Sequence, residues 1–174
     1  EVLHPGAQAY AHRDELSPNA ISCVLKVSAA GRSALLTGDI ESAQEAELVA
    51  QDANYLAGHL RSTVLIAAHH GSQTSSTAGF LQAVGPEQVV IQVGRRNRYG
   101  HPSPSVLARY ESMRLNWVAS PSCGAYIWFS DDADALVQDG TRSADQPHLG
   151  ACWRPAHHRY WDQPSPMASL RPHG

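Results

Sequence analysis

An α/β domain with a mixed β-sheet and flanking helices is what this sequence predicts, and three observations predict it. A hairpin comes first, with strand-like runs at Ile21–Val27 and Ser33–Thr37 around the turn-forming Ala29-Ala30-Gly31-Arg32. Apolar, β-branched runs then alternate with helix-forming stretches, the pattern of strands joined by helical crossovers. The leading hairpin makes the sheet mixed rather than purely parallel.

Taken in order, Gly38 and Asp39 break the second strand. Glu41–Asp52 follows as a helix, with acidic residues in its first turn and Ala46, Leu48 and Val49 as candidates for burial. The continuous apolar run Thr63–Ala68 reads as a strand covered on both faces, and it stops at His69-His70-Gly71-Ser72. The Ser/Thr cluster Ser72–Ser76 is expected to shape a turn or a helix N-cap, since no motif supports a nucleophilic serine. Thr77–Val84 is then a short helix, Gln88–Val93 a strand, and Pro104–Met113 a helix with Val106, Leu107 and Tyr110 on one face. Asn116–Ala119 and Gly124–Phe129 are closing strands, expected to pair with each other. From about Gln138 the chain turns rich in Pro, His and Arg without periodicity, so residues 1–138 form the expected folded unit and 139–174 an irregular or disordered tail.

Composition bounds the rest. A chain of 174 residues supports one hydrophobic core, and 43% apolar with 17% charged residues is a globular balance. A net charge of −3 provides no global basic field of the kind that advertises nucleic-acid binding. No apolar run approaches the roughly 20 residues needed to span a bilayer. The N-terminus carries neither a start methionine nor a signal-peptide pattern, and reads as beginning inside a longer protein. Cys23, Cys123 and Cys152 are odd in number and form no CxxC pair, which argues against a disulfide framework or a zinc knuckle. Cys23 and Cys123 fall in apolar runs and are expected to be buried thiols.

The chemistry-bearing residues come in three clusters, each directly after an apolar strand. These are Thr37-Gly38-Asp39, His69-His70-Gly71-Ser72, and Asn97-Arg98-Tyr99-Gly100-His101-Pro102. Ligands of α/β sheets collect at the carboxyl ends of strands, so the three are expected to converge on one edge. An Asp in a tight turn is usually an N-cap or Asx-turn residue, so Asp39 alone carries little. The two imidazoles are metal-ligand chemistry, or else a hydrogen-bonded surface pair. The third loop, with Arg95, Arg96, Arg98 and Tyr99, can hold phosphates or stand as a solvated basic loop.

The series Asn19-Ala20-Ile21-Ser22, Leu35-Leu36-Thr37-Gly38-Asp39-Ile40, His69-His70-Gly71-Ser72 with Ser75-Ser76, and Asn97 to Pro102 resembles the distal half of the metallo-β-lactamase-like domain of the ComEC family of DNA-uptake proteins. The likeness runs from Val2-Leu3-His4-Pro5 to Gly124-Ala125-Tyr126-Ile127, and Arg154–Trp161 looks like a proteobacterial terminus of that family. The resemblance implies the C-terminal half of an αββα sandwich. It places Asp39 on a metal-bridging carboxylate and His70, or less readily His69, on a metal-ligand histidine. His69 would lie near the scissile phosphate, and Asn97 and His101 would line the cleft, making these three the candidate catalytic residues.

The likeness is partial. The H-x-H-x-D-H motif of the fold is absent, since none of the ten histidines has another two positions away. Asn19 also stands where many relatives place a further metal histidine. The implied cofactor is a divalent zinc or manganese ion of the complete domain, and this chain is expected to bind none tightly. The implied function is a metal-dependent nuclease acting on incoming DNA in natural transformation. The alternatives are a non-catalytic DNA- or partner-binding domain and a small-molecule metallo-phosphodiesterase. The implied partners are DNA, the preceding half of the same domain, the membrane channel of the parent protein and other competence proteins. The expected setting is a soluble domain of a bacterial inner-membrane protein.

Overall fold

Six strands form the main sheet of the computed structural model, which describes residues 1–55, 58–130 and 150–153. They are β1 (Val2–His4), β2 (Val24–Ala29), β3 (Arg32–Leu36), β4 (Val64–Ile66), β5 (Gln88–Ile91) and β6 (Asn116–Ala119), laid side by side in chain order. The first two pairings are antiparallel and the remaining three parallel, so the sheet is mixed as expected. The β2–β3 hairpin turns at Ala30 and Gly31, whose φ values of 49° and 75° are both positive, as a tight two-residue turn requires. Residues 19–21, expected partly within the first strand, instead make a 3₁₀ turn, and extended pairing begins at Val24. His4 closes this turn, its Nε2 lying 2.8 Å from the Ala20 carbonyl. β1 and the one-turn helix α1 (Ala7–Ala11) are too short to leave a periodic signal, and the sequence reading missed both.

The parallel strands are joined by α2 (Ser42–Tyr55), α3 (Ala78–Val84) and α4 (Pro104–Ser112). Thr77 and Ser103 cap α3 and α4, each side chain accepting an N–H from the first turn, and left-handed Gly85 closes α3. Parallel crossovers share one hand, so strands taken strictly in sequence put all three helices on the same face. The core confirms it. Val24, Leu35, Leu65, Val89 and Ile91 from the sheet pack with Leu48, Phe80, Leu81, Val84, Val106 and Tyr110 from the helices.

The opposite face carries Leu25, Val27 and Leu36, which remain 37%, 58% and 38% exposed. Toward β5 the segment Cys123–Tyr126 lines a cavity together with Ile66 and Val90 of this face. That segment contains the one-turn helix α5 (Ser120–Cys123) and β7 (Tyr126–Ile127).

Four expectations need correction. The last aromatic run does not pair with β6; β7 pairs with β8 (Ala151–Cys152) in a separate two-stranded sheet. A disulfide between Cys123 and Cys152 holds that sheet to the end of α5, although an odd cysteine count argued against one. Twenty-nine positions separate the pair, and contact over that span has no local signature. Cys23 is exposed rather than buried, because it precedes Val24 on the unhelical side of the strand. In α2 Ala46 is exposed, and Glu45 takes the buried position. The expected irregular tail falls outside the described residues apart from 150–153, where β8 lies, as does the Arg154–Trp161 segment.

Glu45 is buried because it organises the serine-rich segment behind the histidines. Its carboxylate accepts the backbone N–H groups of Ser76 at 2.5 Å and Thr77 at 2.7 Å. From α4, Arg109 Nη1 donates to the carbonyls of Ser75 and Ser76, and Tyr110 Oη sits 2.8 Å from Ser76 Oγ. Ser76 has a left-handed φ of 56°, an unfavourable conformation that these contacts hold in place. Burial raises the Glu45 pKa against the opposing pull of the Thr77 and Ser76 hydrogen bonds and the nearby Arg109 charge. Burial likewise pushes Tyr110 up to about 12.

Candidate functional site

Register is what brings the three clusters together. Leu36 pairs with Ile66 and Ile66 with Val90, so the segments after β3, β4 and β5 leave the sheet side by side at one edge. Thr37 Oγ1 donates to the Ile66 carbonyl at 2.7 Å, and the His69 N–H donates to the Gly38 carbonyl at 2.9 Å, joining the first two clusters. Asp39 is fixed from the other side, its backbone N–H donating 2.8 Å to Ser22 Oγ. Gly38 adopts φ 54° where a Cβ would collide with Ser22, which explains the glycine before the aspartate.

The histidine corner is strained. His69, His70 and Gly71 have φ values of 48°, 57° and 77°, three successive left-handed residues of which only the glycine adopts that region freely. Non-glycine residues held there cost on the order of 1–3 kcal/mol each. The corner is held by Ser72 N–H to the His69 carbonyl and by Ser75 Oγ to the Ala68 carbonyl, both internal to the segment clamped by Glu45. Nothing in the local sequence announced this geometry.

The result is a defined tautomer. His70 Nδ1 lies 2.6 Å from the Gln92 carbonyl, and a carbonyl only accepts, so Nδ1 carries the proton. His70 Nε2 then faces Asp39 Oδ1 at 3.5 Å, and the gap is bridged either by a proton on an imidazolium or by a cation. His69 Nδ1 lies 3.3 Å from Glu41 Oε1, within ion-pair range but misaligned for a hydrogen bond, and among the described residues it is buried without a hydrogen-bond partner. Glu41, two residues past Asp39, is a site residue the sequence reading did not single out; its Oε1 also accepts from Thr74 Oγ1. Ser22 and the Gln92 carbonyl are likewise visible only through their contacts.

His101 joins the group at a ring-centroid distance of 5.8 Å from His69, and its Nδ1 is buried without a hydrogen-bond partner among the described residues. Desolvation, and then positive charge on His69 and His70, hold its pKa below the usual histidine value. Asn97 does not reach outward. Its amide donates to the carbonyls of Gly94 and His101 and accepts the His101 N–H at 2.8 Å, so it positions His101 by bracing the loop. The loop is seated on the histidine corner by the Ser103 N–H, which donates to the Gly71 carbonyl at 2.8 Å.

Asp39, His70, His69 and His101 therefore meet at one edge, with Asn97 behind them. Asp39 Oδ1 and His70 Nε2 are metal-ligand atom types 3.5 Å apart, two donors that a divalent-metal shell could use. Among the described residues no group of three or more His, Cys, Asp or Glu side chains is arranged to hold an ion. The remaining ligands of a four-coordinate site would have to come from elsewhere. Two cavities flank His70 and share Gln92. One, of about 420 Å³, includes Leu36, Asp39 and Ile66; the other, of about 390 Å³, includes Asn97, Tyr99 and His101.

Fold and site together define an α/β domain that gathers a carboxylate and imidazoles at the carboxyl edge of the parallel strands of a mixed sheet. The chain is homologous to a segment of proteins named for competence. It is 38% identical over 125 residues to competence protein ComA of Neisseria gonorrhoeae, covering 72% of this chain and 17% of that protein. It is 37% identical over 106 residues to ComE operon protein 3 of Bacillus subtilis, covering 61% of this chain and 12% of the relative. Recombination protein 2 of Haemophilus influenzae is 36% identical over 105 residues, covering 59% and 12%. The chain thus spans under a fifth of the length of each of these relatives. No protein-family profile matches it. Among the described residues no helix is long and apolar enough to cross a membrane.

Proposed function

We propose that this chain is the distal half of a metallo-β-lactamase-like αββα domain in a ComEC-family protein, and that the complete domain cleaves phosphodiester bonds of DNA during natural transformation. The observation that carries the chemistry is the Asp39–His70 pair, with the imidazole turned toward the carboxylate by the Gln92 carbonyl. The architecture is supported by the one-sided sheet. With every crossover helix on one face, the exposed Leu25, Val27 and Leu36 form the surface that a preceding half-domain would cover.

In this reading Asp39 and His70 hold a zinc or manganese ion with ligands from the preceding half. Such an ion supplies Lewis acidity toward a phosphate oxygen. His69 and His101, each with a buried Nδ1 that has no hydrogen-bond partner among the described residues, hydrogen-bond the phosphate or move a proton beside it. Asn97 holds His101 in place. The partners are DNA, the preceding half-domain, the membrane channel of the parent and other competence proteins, with this domain lying outside the bilayer of the inner membrane.

The test is a protein extended upstream to include the preceding half, assayed on DNA with manganese or zinc. Cleavage that Asp39→Ala reduces to background supports the proposal. A folded, metal-loaded protein that does not cleave, or whose cleavage ignores Asp39→Ala, overturns it.

A further inference from the structure

The loop beyond β5 has features that phosphate binding alone does not explain. Tyr99 is 67% exposed, an unusual position for a large aromatic ring. It is nevertheless held in a fixed orientation. Its ring stacks on His101 at a centroid distance of 5.9 Å and an interplanar angle of 17°. The Arg98 guanidinium lies 4.9 Å from the Tyr99 ring centroid and donates to Tyr99 Oη at 2.7 Å. Asn97 braces the backbone that carries them. Ring, guanidinium and imidazole thus form a braced aromatic shelf rather than a loose side chain.

The shelf forms one wall of the cavity of about 390 Å³ whose other walls include His70, Gln92, Val93 and Asn97. This cavity is large enough for a flat heterocycle and adjoins the Asp39–His70 pair through His70. Arg95, Arg96 and Arg98 concentrate positive charge on this loop in a chain whose net charge is −3. A flat aromatic ligand attached to an anion matches both features, and a nucleotide within a DNA strand is such a ligand.

We infer that the Tyr99–His101 shelf is a nucleobase-stacking subsite, which receives one unpaired base of a single-stranded DNA while the arginines hold the flanking phosphates. This rests on the proposed action on DNA and specifies its form. A base inside a duplex is stacked on its neighbours and presents no free face to Tyr99, so the subsite selects single strands. Stacking on a ring reads no hydrogen-bond pattern, so the subsite tolerates any base.

Binding to the 174-residue chain is measured without divalent ions, using a labelled short oligothymidylate, an abasic strand of equal length and a duplex. Tyr99→Ala is expected to weaken oligothymidylate binding about 10-fold, the order of one base stack, and to leave abasic-strand binding unchanged. Tyr99→Phe restores the affinity, and its exposed position keeps either change from unfolding the domain. Charge removal at Arg95 and Arg96 weakens all three ligands alike. Equal effects of Tyr99→Ala on the oligothymidylate and the abasic strand overturn the subsite, as does tighter binding of the duplex than of the single strand. Base-dependent binding supports it even if the extended protein never cleaves DNA. Cleavage by the extended protein that survives Tyr99→Ala with unchanged KM sinks the subsite and leaves the nuclease reading intact.

Discussion

His70 presents Nε2 to Asp39 Oδ1 at 3.5 Å because its Nδ1 is committed to the Gln92 carbonyl at 2.6 Å. The two side chains come from loops after different strands, 31 positions apart by number, and Gln92, just past β5, supplies the carbonyl. A histidine oriented through its second nitrogen is how proteins commonly set an imidazole toward a metal.

A metal titration checks this pair. The chain contributes two aligned ligands, so zinc binding is expected to be weaker than micromolar and to be abolished by either Asp39→Asn or His70→Ala. Calorimetry giving a submicromolar constant that persists without the histidines at 148, 157, 158 and 173 would contradict it.

The Glu45 clamp predicts a stability effect with a pH signature. Glu45→Ala leaves the Ser76 and Thr77 N–H groups without their acceptor and is expected to cost about 2–4 kcal/mol in denaturant unfolding. Burial raises the folded-state pKa above the ordinary 4.5, so the native state holds the Glu45 proton more tightly than the unfolded chain does. The corresponding stability is fully present below 4.5 and is lost as pH rises through the folded-state value. Glu45→Gln should flatten that slope; a slope identical to that of the unsubstituted protein would show that another group causes it.

Cysteine labelling tests the disulfide. Under native, non-reducing conditions the exposed Cys23 alone should react with iodoacetamide, and all three cysteines after reduction and unfolding. The Cys123–Cys152 crosslink spans 29 positions, for which chain entropy suggests up to about 3.5 kcal/mol. Because it anchors only β7 and β8, reduction should lower stability by less than that and leave the main sheet's circular dichroism intact.

Asn97→Ala removes three hydrogen bonds from the loop that carries His101. Trypsin should then cut after Arg95, Arg96 or Arg98 several-fold faster, because cleavage follows local opening. An unchanged cleavage rate, followed by mass spectrometry, would mean that the loop is braced elsewhere.

Gly71→Ala is expected to destabilise the site, because Gly71 is buried in the histidine corner. Gly71 has φ 77°, and an added Cβ would approach the Pro102 Cβ to 2.8 Å. The variant should lose about 2 kcal/mol or more and loosen both the histidine corner and the adjoining loop, as hydrogen exchange would record.

Much of this architecture is legible in local patterns. The hairpin turn, the two Ser/Thr helix caps, the buried run Val64–Ile66 and the placing of Asp39, His69-His70 and Asn97–His101 after strands all follow from residues close in sequence. Such features depend on backbone propensity and on side chains within one or two turns of each other. The rest arises where distant segments meet. Glu45 rather than Ala46 is buried because Ser76, Thr77 and Arg109 await it there. Asn97 faces inward because two carbonyls and an N–H of its own loop engage its amide. Cys152 finds Cys123 only once β8 is laid against β7. The left-handed histidines persist because surrounding hydrogen bonds outweigh their backbone cost, and which residues would provide those bonds was decided by the parallel register of β3, β4 and β5.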